Sequence, residues 1–186
     1  MILLARHGET AWNAIGRLQG HTDVELNATG REQARELAAS LASAQIADVW
    51  ASDLARARET AAIVAGELGL PPPRVDPELR ERRFGIFEGL TRDECAARYP
   101  DAWRAWTSQT EHPPGGESRD EALVRMNRAI ARVLGGARGP TLVVSHGGVM
   151  RLWLSELLGA PIPAVGNGVV YDLEHDGATF RATLRG

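Results

Sequence analysis

Near the start of the chain, Arg6-His7-Gly8-Glu9-Thr10 sets an imidazole beside a guanidinium at the end of the apolar run Met1-Ile2-Leu3-Leu4-Ala5. Far downstream, Val143-Val144-Ser145-His146-Gly147-Gly148 repeats the grammar, with an apolar stretch ending in His-Gly. An imidazole can serve as nucleophile, base or ligand, and an arginine fork binds two phosphate oxygens at once. Two strand-end histidines, an adjacent arginine and glycine-rich turns therefore make a pocket suited to a phosphate. Gly8 adds a backbone that another group can approach closely.

Such residues need elements that hold them in register. Residues 1–6 read as a buried strand, and Thr29-Gly30 opens a helix with Ala34, Leu37, Ala38 and Leu41 on its apolar face. Ile46 to Ala51 reads as a second strand, followed by a helix from Leu54 to Leu68 that Gly69 and Pro71-Pro72-Pro73 close. Arg56 starts that helix just after a strand, where anions are held; a solvated helix arginine, as assumed for Arg58, is the plain alternative. An extended piece at Arg74–Asp76 leads into the charged segment Glu78 to Gly89. Thr91–Tyr99 and Asp101–Ser108 read as short helices split by Pro100, with a loop at residues 112–116. Ser118 caps a long helix, with Glu121 at capping-box spacing and Leu123, Met126, Ile130, Val133 and Leu134 as core candidates. Thr141–Ser145 is the most apolar strand. Its helix carries Val149, Leu152, Trp153 and Leu157, and a hairpin of Val169–Glu174 and Thr179–Leu184 around Asp176-Gly177 closes the chain. Strands alternating with helices predict an α/β fold with a mostly parallel, covered sheet and ligands at the carboxyl ends of its strands.

Composition narrows the chemistry. The 186 residues fit one domain, and 44% hydrophobic with 24% charged residues is ordinary for a globular chain. A net charge of -3 gives no general attraction to nucleic acid or an anionic membrane. The run Arg80-Glu81-Arg82-Arg83 is short, with only Phe84 as an aromatic neighbour, so no nucleic-acid patch is expected. All 21 basic residues are arginine, which excludes a Walker A loop, a Schiff-base enzyme and a pyridoxal-phosphate anchor. Cys95 is the single cysteine, so there is no internal disulfide and no thiolate zinc site. Asp101 stands where a cysteine phosphatase loop needs arginine, and Cys95 reads as a packing residue. His146 could be a metal ligand or a packed histidine, but no third ligand at sensible spacing accompanies it; neither metal nor cofactor is expected. The N-terminal apolar run is too short for a signal peptide and no stretch could span a membrane, which makes the cytoplasm the expected location.

Together these residues resemble the histidine phosphatase superfamily, which includes phosphoglycerate mutases and many small phosphatases such as α-ribazole phosphatases. The resemblance covers nearly the whole chain: Arg6-His7-Gly8-Glu9-Thr10 with Trp12-Asn13 and Gly16-Arg17-Leu18-Gln19-Gly20; Leu26-Asn27 to Gly30; Ser52-Asp53-Leu54-Ala55-Arg56-Ala57 with Thr60; Leu79-Arg80-Glu81 with Phe84-Gly85 and Glu88-Gly89; Pro114-Gly115-Gly116-Glu117-Ser118; and Ser145-His146-Gly147-Gly148. It implies a three-layer sandwich in a single domain, residues 1–186, with residues 78–117 as a cap over the pocket. It implies that His7 is the nucleophile, that Arg6, Arg56 and His146 surround the transferring oxygens, and that Glu81 is the proton donor; a salt-bridge partner is the alternative for Glu81. Asn13, Gln19, Gly20 and Gly147 are implied phosphate or substrate contacts. Glu9 and Glu88 read as structural, and Thr10, Ser52 and Thr60 as supports. Many small phosphatases have tryptophan at Phe87 and an apolar and an acidic residue at Arg82 and Arg83, and these departures are expected around the pocket entrance. Asn167 is kept, without the small hydroxyl residue that usually follows.

Hydrolases and mutases of this kind share a phosphohistidine and differ in what it meets next. Mutases carry a long Arg- and Pro-rich insertion after the glutamate, whereas here two short helices join Glu81 to Pro113. A phosphomonoesterase acting on a small phosphate ester is therefore expected. Phosphoglycerate mutase-type transfer is the alternative, and a non-enzymatic phospholigand-binding module is disfavoured because His7, Glu81 and His146 are all present. Trp103 and Trp106, three apart, read as packing against the body, with the pocket mouth or a homodimer contact left open.

Overall fold

The computed structural model describes residues 1–175 and 180–185. In chain order the elements are β1 (Ile2–Arg6), α1 (Ala11–Ala14), α2 (Ala28–Leu41), β2 (Asp48–Ala51), α3 (Ala55–Glu67), β3 (Arg74–Val75), two single 3₁₀ turns (Pro77–Leu79 and Gly85–Phe87), α4 (Arg92–Arg98), α5 (Pro100–Thr107), α6 (Arg119–Gly136), β4 (Thr141–Ser145), α7 (Gly147–Leu158), β5 (Val170–His175) and β6 (Phe180–Leu184). The strands form one sheet in the order β3-β2-β4-β1-β5-β6. β3, β2, β4 and β1 pair in parallel, and β5 and β6 add an antiparallel hairpin on one side. The expected turn at Asp176-Gly177 lies outside the described residues.

Apolar residues run through β1 and β4 without a polar break because both faces of these strands are covered. Ile2, Leu4 and Val143 pack with α6 and α7 through Met126, Ile130, Met150 and Leu154. Leu3, Ala5, Leu142 and Val144 pack on the other face with α2 and α3 through Leu37, Leu41, Ala61 and Val64. The result is the expected three-layer α/β sandwich. A separate small core holds Phe84, Phe87 and Cys95, with Leu18, Trp103 and Trp106 packed against it. Cys95 is thus a packing residue, and Trp103 and Trp106 bury against this cluster. Phe87 differs from expectation: it is fully buried against Tyr99, Trp103 and Trp106, so it fills the small core and does not border a pocket entrance.

Local chemistry explains the boundaries. Asn27 rather than Thr29 begins α2, its side chain accepting from Gly30 N at 2.7 Å. Pro100 does not separate α4 from α5 but is the first residue of α5, where its missing N–H costs nothing. Ser118 and Glu121 form the expected capping box of α6. α1, four residues long, has no apolar periodicity to announce it and rests on a Thr10–Asn13 capping box.

β1 and β4 are neighbours, yet the helix after β1 covers one face and the helix after β4 covers the other. The chain therefore parts at their carboxyl ends and opens a crevice. The register sets Arg6 beside Ser145, so His7 and His146 leave the sheet side by side.

Gly8 is closely approached, as expected, but by α2 and not by open space for a ligand. A Cβ on Gly8 would lie 2.3 Å from Gly30 O, and one on Gly30 would lie 2.1 Å from Glu9 O. Gly30→Ala separates two effects of opposite sign. Helix propensity alone would stabilise by about 1 kcal/mol, whereas the backbone clash should destabilise by about 1–3 kcal/mol. A lowered urea midpoint is the expected outcome; a raised one would show that the contact between α2 and the β1 end is loose.

Candidate active site

His7 and His146 meet with ring centroids 5.1 Å apart and planes inclined at 60°. His7 is buried, and its Nδ1 lies 2.6 Å from Gly8 O. A carbonyl oxygen only accepts, so Nδ1 carries the proton and Nε2 is the nitrogen with a free lone pair. Burial, then the charges of Arg56 and Arg6, hold the His7 pKa well below the ordinary histidine value, against a smaller opposing effect of the Gly8 bond. His146 is fully buried, and among the described residues neither ring nitrogen has a hydrogen-bond partner. Burial is again the main cause of its lowered pKa, followed by Arg56 and His7.

The two arginines are held by main-chain carbonyls, leaving part of each fork free. Arg56 is completely buried, whereas Arg58 is exposed, so the solvated-helix alternative does not hold for Arg56. Its Nη1 donates to Thr22 O at 3.0 Å and its Nη2 to Gly20 O at 2.8 Å, while Nε is buried without a partner. Burial lowers its pKa to about 10, with Glu81 and Asp23 opposing. Arg6 donates from Nη1 to Val165 O at 2.7 Å, and its Nε is also buried and unpartnered. Arg6 lies across the start of α7, because a Cβ on Gly147 would stand 3.0 Å from its Nε. A pocket whose buried imidazole and guanidinium nitrogens lack protein acceptors is built for an anion.

The other expected contacts divide. Asn13 uses Oδ1 to accept from Thr10 N and Thr10 Oγ1, and among the described residues its Nδ2 has no acceptor. Gln19 is buried with Oε1 unpartnered. Gly147 supplies the first N–H of α7, which no acceptor among the described residues takes. Gly20 has a different part. It has φ +51°, a side chain there would strike the Glu88 carboxylate, and its carbonyl holds Arg56.

Glu81 is placed by the turn after Leu79, and no arginine lies within salt-bridge distance of its carboxylate among the described residues. Instead Oε1 accepts from Arg82 N (2.8 Å) and Val149 N (2.7 Å), and Oε2 accepts from Gly148 N (2.8 Å). Two of these donors are first-turn amides of α7. A Cβ on Gly148 would stand 2.7 Å from Oε1, so only glycine leaves the carboxylate room. Three of roughly four lone-pair directions are taken, and the open one is on Oε2.

Supporting groups behave as their types suggest. Thr60 Oγ1 accepts from Gly8 N at 3.1 Å and donates to Arg56 O at 2.7 Å, tying the β1 end to α3. Glu88 accepts from His21 N, Thr22 N, Thr22 Oγ1 and Phe84 N, stapling two loops together. Glu9 accepts from Asn27 Nδ2 at 2.7 Å, and Asn167 Nδ2 donates to His7 O at 2.9 Å. In the arginine run, Arg80 pairs with Asp53 through two bonds of 2.7 and 2.5 Å, Arg83 is exposed, and Arg82 is largely buried with Nε unpartnered. His21 and Arg125 touch this segment without any sequence signal to mark them. His21 Nε2 donates to Glu81 O at 2.7 Å, and Arg125 reaches from α6 to the same carbonyl. Among the described residues no cluster could hold a metal ion and no helix is long and apolar enough to cross a membrane.

Comparison with known proteins agrees with this geometry. Residues 2–185 match the model of the histidine phosphatase superfamily (branch 1). "Phosphoglycerate mutase-like protein 4" of Arabidopsis thaliana is 43% identical over 155 residues, 81% of this chain and 67% of that protein. The "metal-independent phosphoserine phosphatase" of the same plant is 39% identical over 81% of this chain and 65% of its own length. The chain thus spans about two thirds of these relatives. A mycobacterial glucosyl-3-phosphoglycerate phosphatase solved with VO3 superposes with a TM-score of 0.89 at 32% identity, covering 98% of this chain and 96% of the other.

Lowered histidine pKa values make stability depend on pH. Below about pH 6.5 the unfolded chain binds protons at these histidines that the native protein refuses, so stability falls with acidity by up to about 1.4 kcal/mol per pH unit for each. His146→Gln should flatten the slope of unfolding free energy between pH 6.5 and 5, measured by urea titration without phosphate. Equal slopes for both proteins would mean that His146 titrates normally.

Proposed function

The chain belongs to the histidine phosphatase superfamily, and on that premise we propose that it is a phosphomonoesterase that hydrolyses small phosphate esters through a phosphohistidine on His7. The observation that carries this reading is the group of buried nitrogens without acceptors, His146 Nδ1 and Nε2, Arg6 Nε and Arg56 Nε, around a His7 whose Nε2 is unprotonated. A phosphoryl dianion supplies the acceptors that the protein withholds.

In the first step the His7 Nε2 lone pair forms a bond to phosphorus, and the bond from phosphorus to the ester oxygen breaks. The Gly8 carbonyl holds the Nδ1–H through this change. Arg6, Arg56, His146, the Asn13 amide and the Gly147 N–H receive the equatorial oxygens, with Gln19 facing the substrate. Glu81, protonated on the open direction of Oε2, gives its proton to the departing alkoxide. Water then attacks the phosphohistidine, the P–N bond breaks, and Glu81 takes back a proton, leaving free phosphate. No metal or cofactor takes part.

Residues 78–117 form the cap on this pocket within a single domain. Its helices α4 and α5 bury against their own small core, and Gly85 sits so tightly against Pro114 O that a Cβ would come within 2.1 Å. So compact a cap has no long insertion to exclude water, which favours hydrolysis over mutase transfer. The partner is a small phosphate ester, not nucleic acid or membrane, and the place of action is the cytoplasm.

Hydrolysis of p-nitrophenyl phosphate should proceed in excess chelator and be inhibited by vanadate. His7→Ala should reduce it to background; turnover near wild type in that variant would remove His7 as nucleophile. Glu81→Gln should lower kcat/KM for an alkyl phosphate by at least about 100-fold and for a dinitrophenyl phosphate by much less, because only the alkoxide needs the proton. Equal losses would assign Glu81 to capping α7 alone. An assay with 3-phosphoglycerate that yields more isomer than free phosphate would favour the mutase reading.

A further inference from the structure

Arg125 stands in the second turn of α6, its side chain 12% exposed. Its Nε and Nη2 grip Glu117 through two oxygens at 2.8 and 2.7 Å. That fork orients the rest of the guanidinium at the turn leading into Glu81. Nη1 donates to Glu78 O at 2.7 Å and Arg80 O at 2.8 Å, and Nη2 donates to Glu81 O at 3.3 Å. The Glu81 carbonyl also receives His21 Nε2 at 2.7 Å, from the loop whose Gly20 and Thr22 carbonyls hold Arg56. One guanidinium therefore gathers three of the four main-chain carbonyls of segment 78–81, those of Glu78, Arg80 and Glu81, and one imidazole ties that segment to the loop that holds Arg56.

We infer that Arg125, assisted by His21, is the positioning residue for Glu81, fixing the main chain from which its carboxyl group meets the leaving oxygen. The inference rests on the proton-donor role proposed for Glu81. The carboxylate end is held by amides of α7 and the main-chain end by Arg125 and His21, so the side chain spans two anchors and has little freedom to drift. A proton donor must sit within hydrogen-bond reach of its acceptor, and a shift of about 1 Å can cost on the order of 100-fold. Lysine cannot replace the fork, because one ammonium cannot grip a carboxylate through two bonds and also reach three carbonyls.

The test compares kcat/KM for an alkyl phosphate and a dinitrophenyl phosphate in the wild type, Arg125→Lys, His21→Ala, Glu81→Gln and the double variant Glu81→Gln/Arg125→Lys. Arg125→Lys should lower the alkyl value by about 10- to 100-fold and leave the dinitrophenyl value within about threefold. His21→Ala should show the same selectivity with a smaller loss, and it reads the inference if Arg125→Lys does not fold. In the Glu81→Gln background the lysine substitution should add no further loss, since its effect passes through Glu81. Equal losses for both substrates, no loss, or a full additional loss in the double variant would overturn the inference. Glu81→Gln without leaving-group selectivity would instead overturn the proton-donor role itself, so the two failures are told apart.

Discussion

Neutral imidazoles and charged guanidinium groups are packed at the carboxyl ends of the two central strands with fewer acceptors than they need. A buried donor or acceptor left without a partner costs about 1–3 kcal/mol, and His146, Arg6 and Arg56 together contain several such atoms. The surrounding fold must offset this. Two parallel central strands with apolar middles, covered by helix pairs on both faces, give these strand ends their rigidity. The carbonyls of Gly20, Thr22 and Val165 satisfy the guanidinium atoms that do not face the pocket. In the proposed reaction the unsatisfied atoms meet a phosphoryl group, and stability withheld from the empty protein becomes affinity for that group.

The same few residues couple that anion site to the proton site. The start of α7 uses successive amides for different purposes: Gly147 N–H is left free beside Arg6, while Gly148 and Val149 N–H hold the Glu81 carboxylate. A side chain at 147 would crowd Arg6, and one at 148 would displace the Glu81 carboxylate from its amides. On the other side, the loop that holds Arg56 also presents His21 to the Glu81 main chain. The groups proposed to serve the phosphate oxygens and the leaving oxygen are therefore linked through shared contacts.

Much of this was legible in the sequence because apolar runs and caps act locally. The strands ending in His7 and His146, the box at Ser118 and Glu121, and the α/β alternation all depend on neighbours close along the chain. The alternation also places both histidines at carboxyl ends of parallel strands, whereas the pairing of β1 with β4 that sets His7 beside His146 joins distant segments. Contacts between distant segments left no trace. Nothing in the spacing of Arg125 on α6 distinguishes it from Arg128 and Arg132, which pair with Glu78 and Asp76 nearer the surface. Phe87 was misplaced for a similar reason: an aromatic in a charged segment gives no sign of a small separate core, which needed Trp103 and Trp106 to fold over it. For Glu81 the resemblance implies a proton donor, with a salt bridge to arginine as the alternative; the amides that hold its carboxylate have no sequence signal, because only the folded turn brings them there.

With its Nδ1–H held by the Gly8 carbonyl, His7 is proposed to attack through Nε2. That attack is tested most directly by quenching the enzyme with a fast-leaving aryl phosphate under alkaline conditions, which preserve phosphohistidine, and identifying the modified atom by mass spectrometry and phosphorus–nitrogen NMR. Phosphate on Nε2 of His7 is the expected result. Phosphate on Nδ1, on another residue, or on no residue during productive turnover would contradict it.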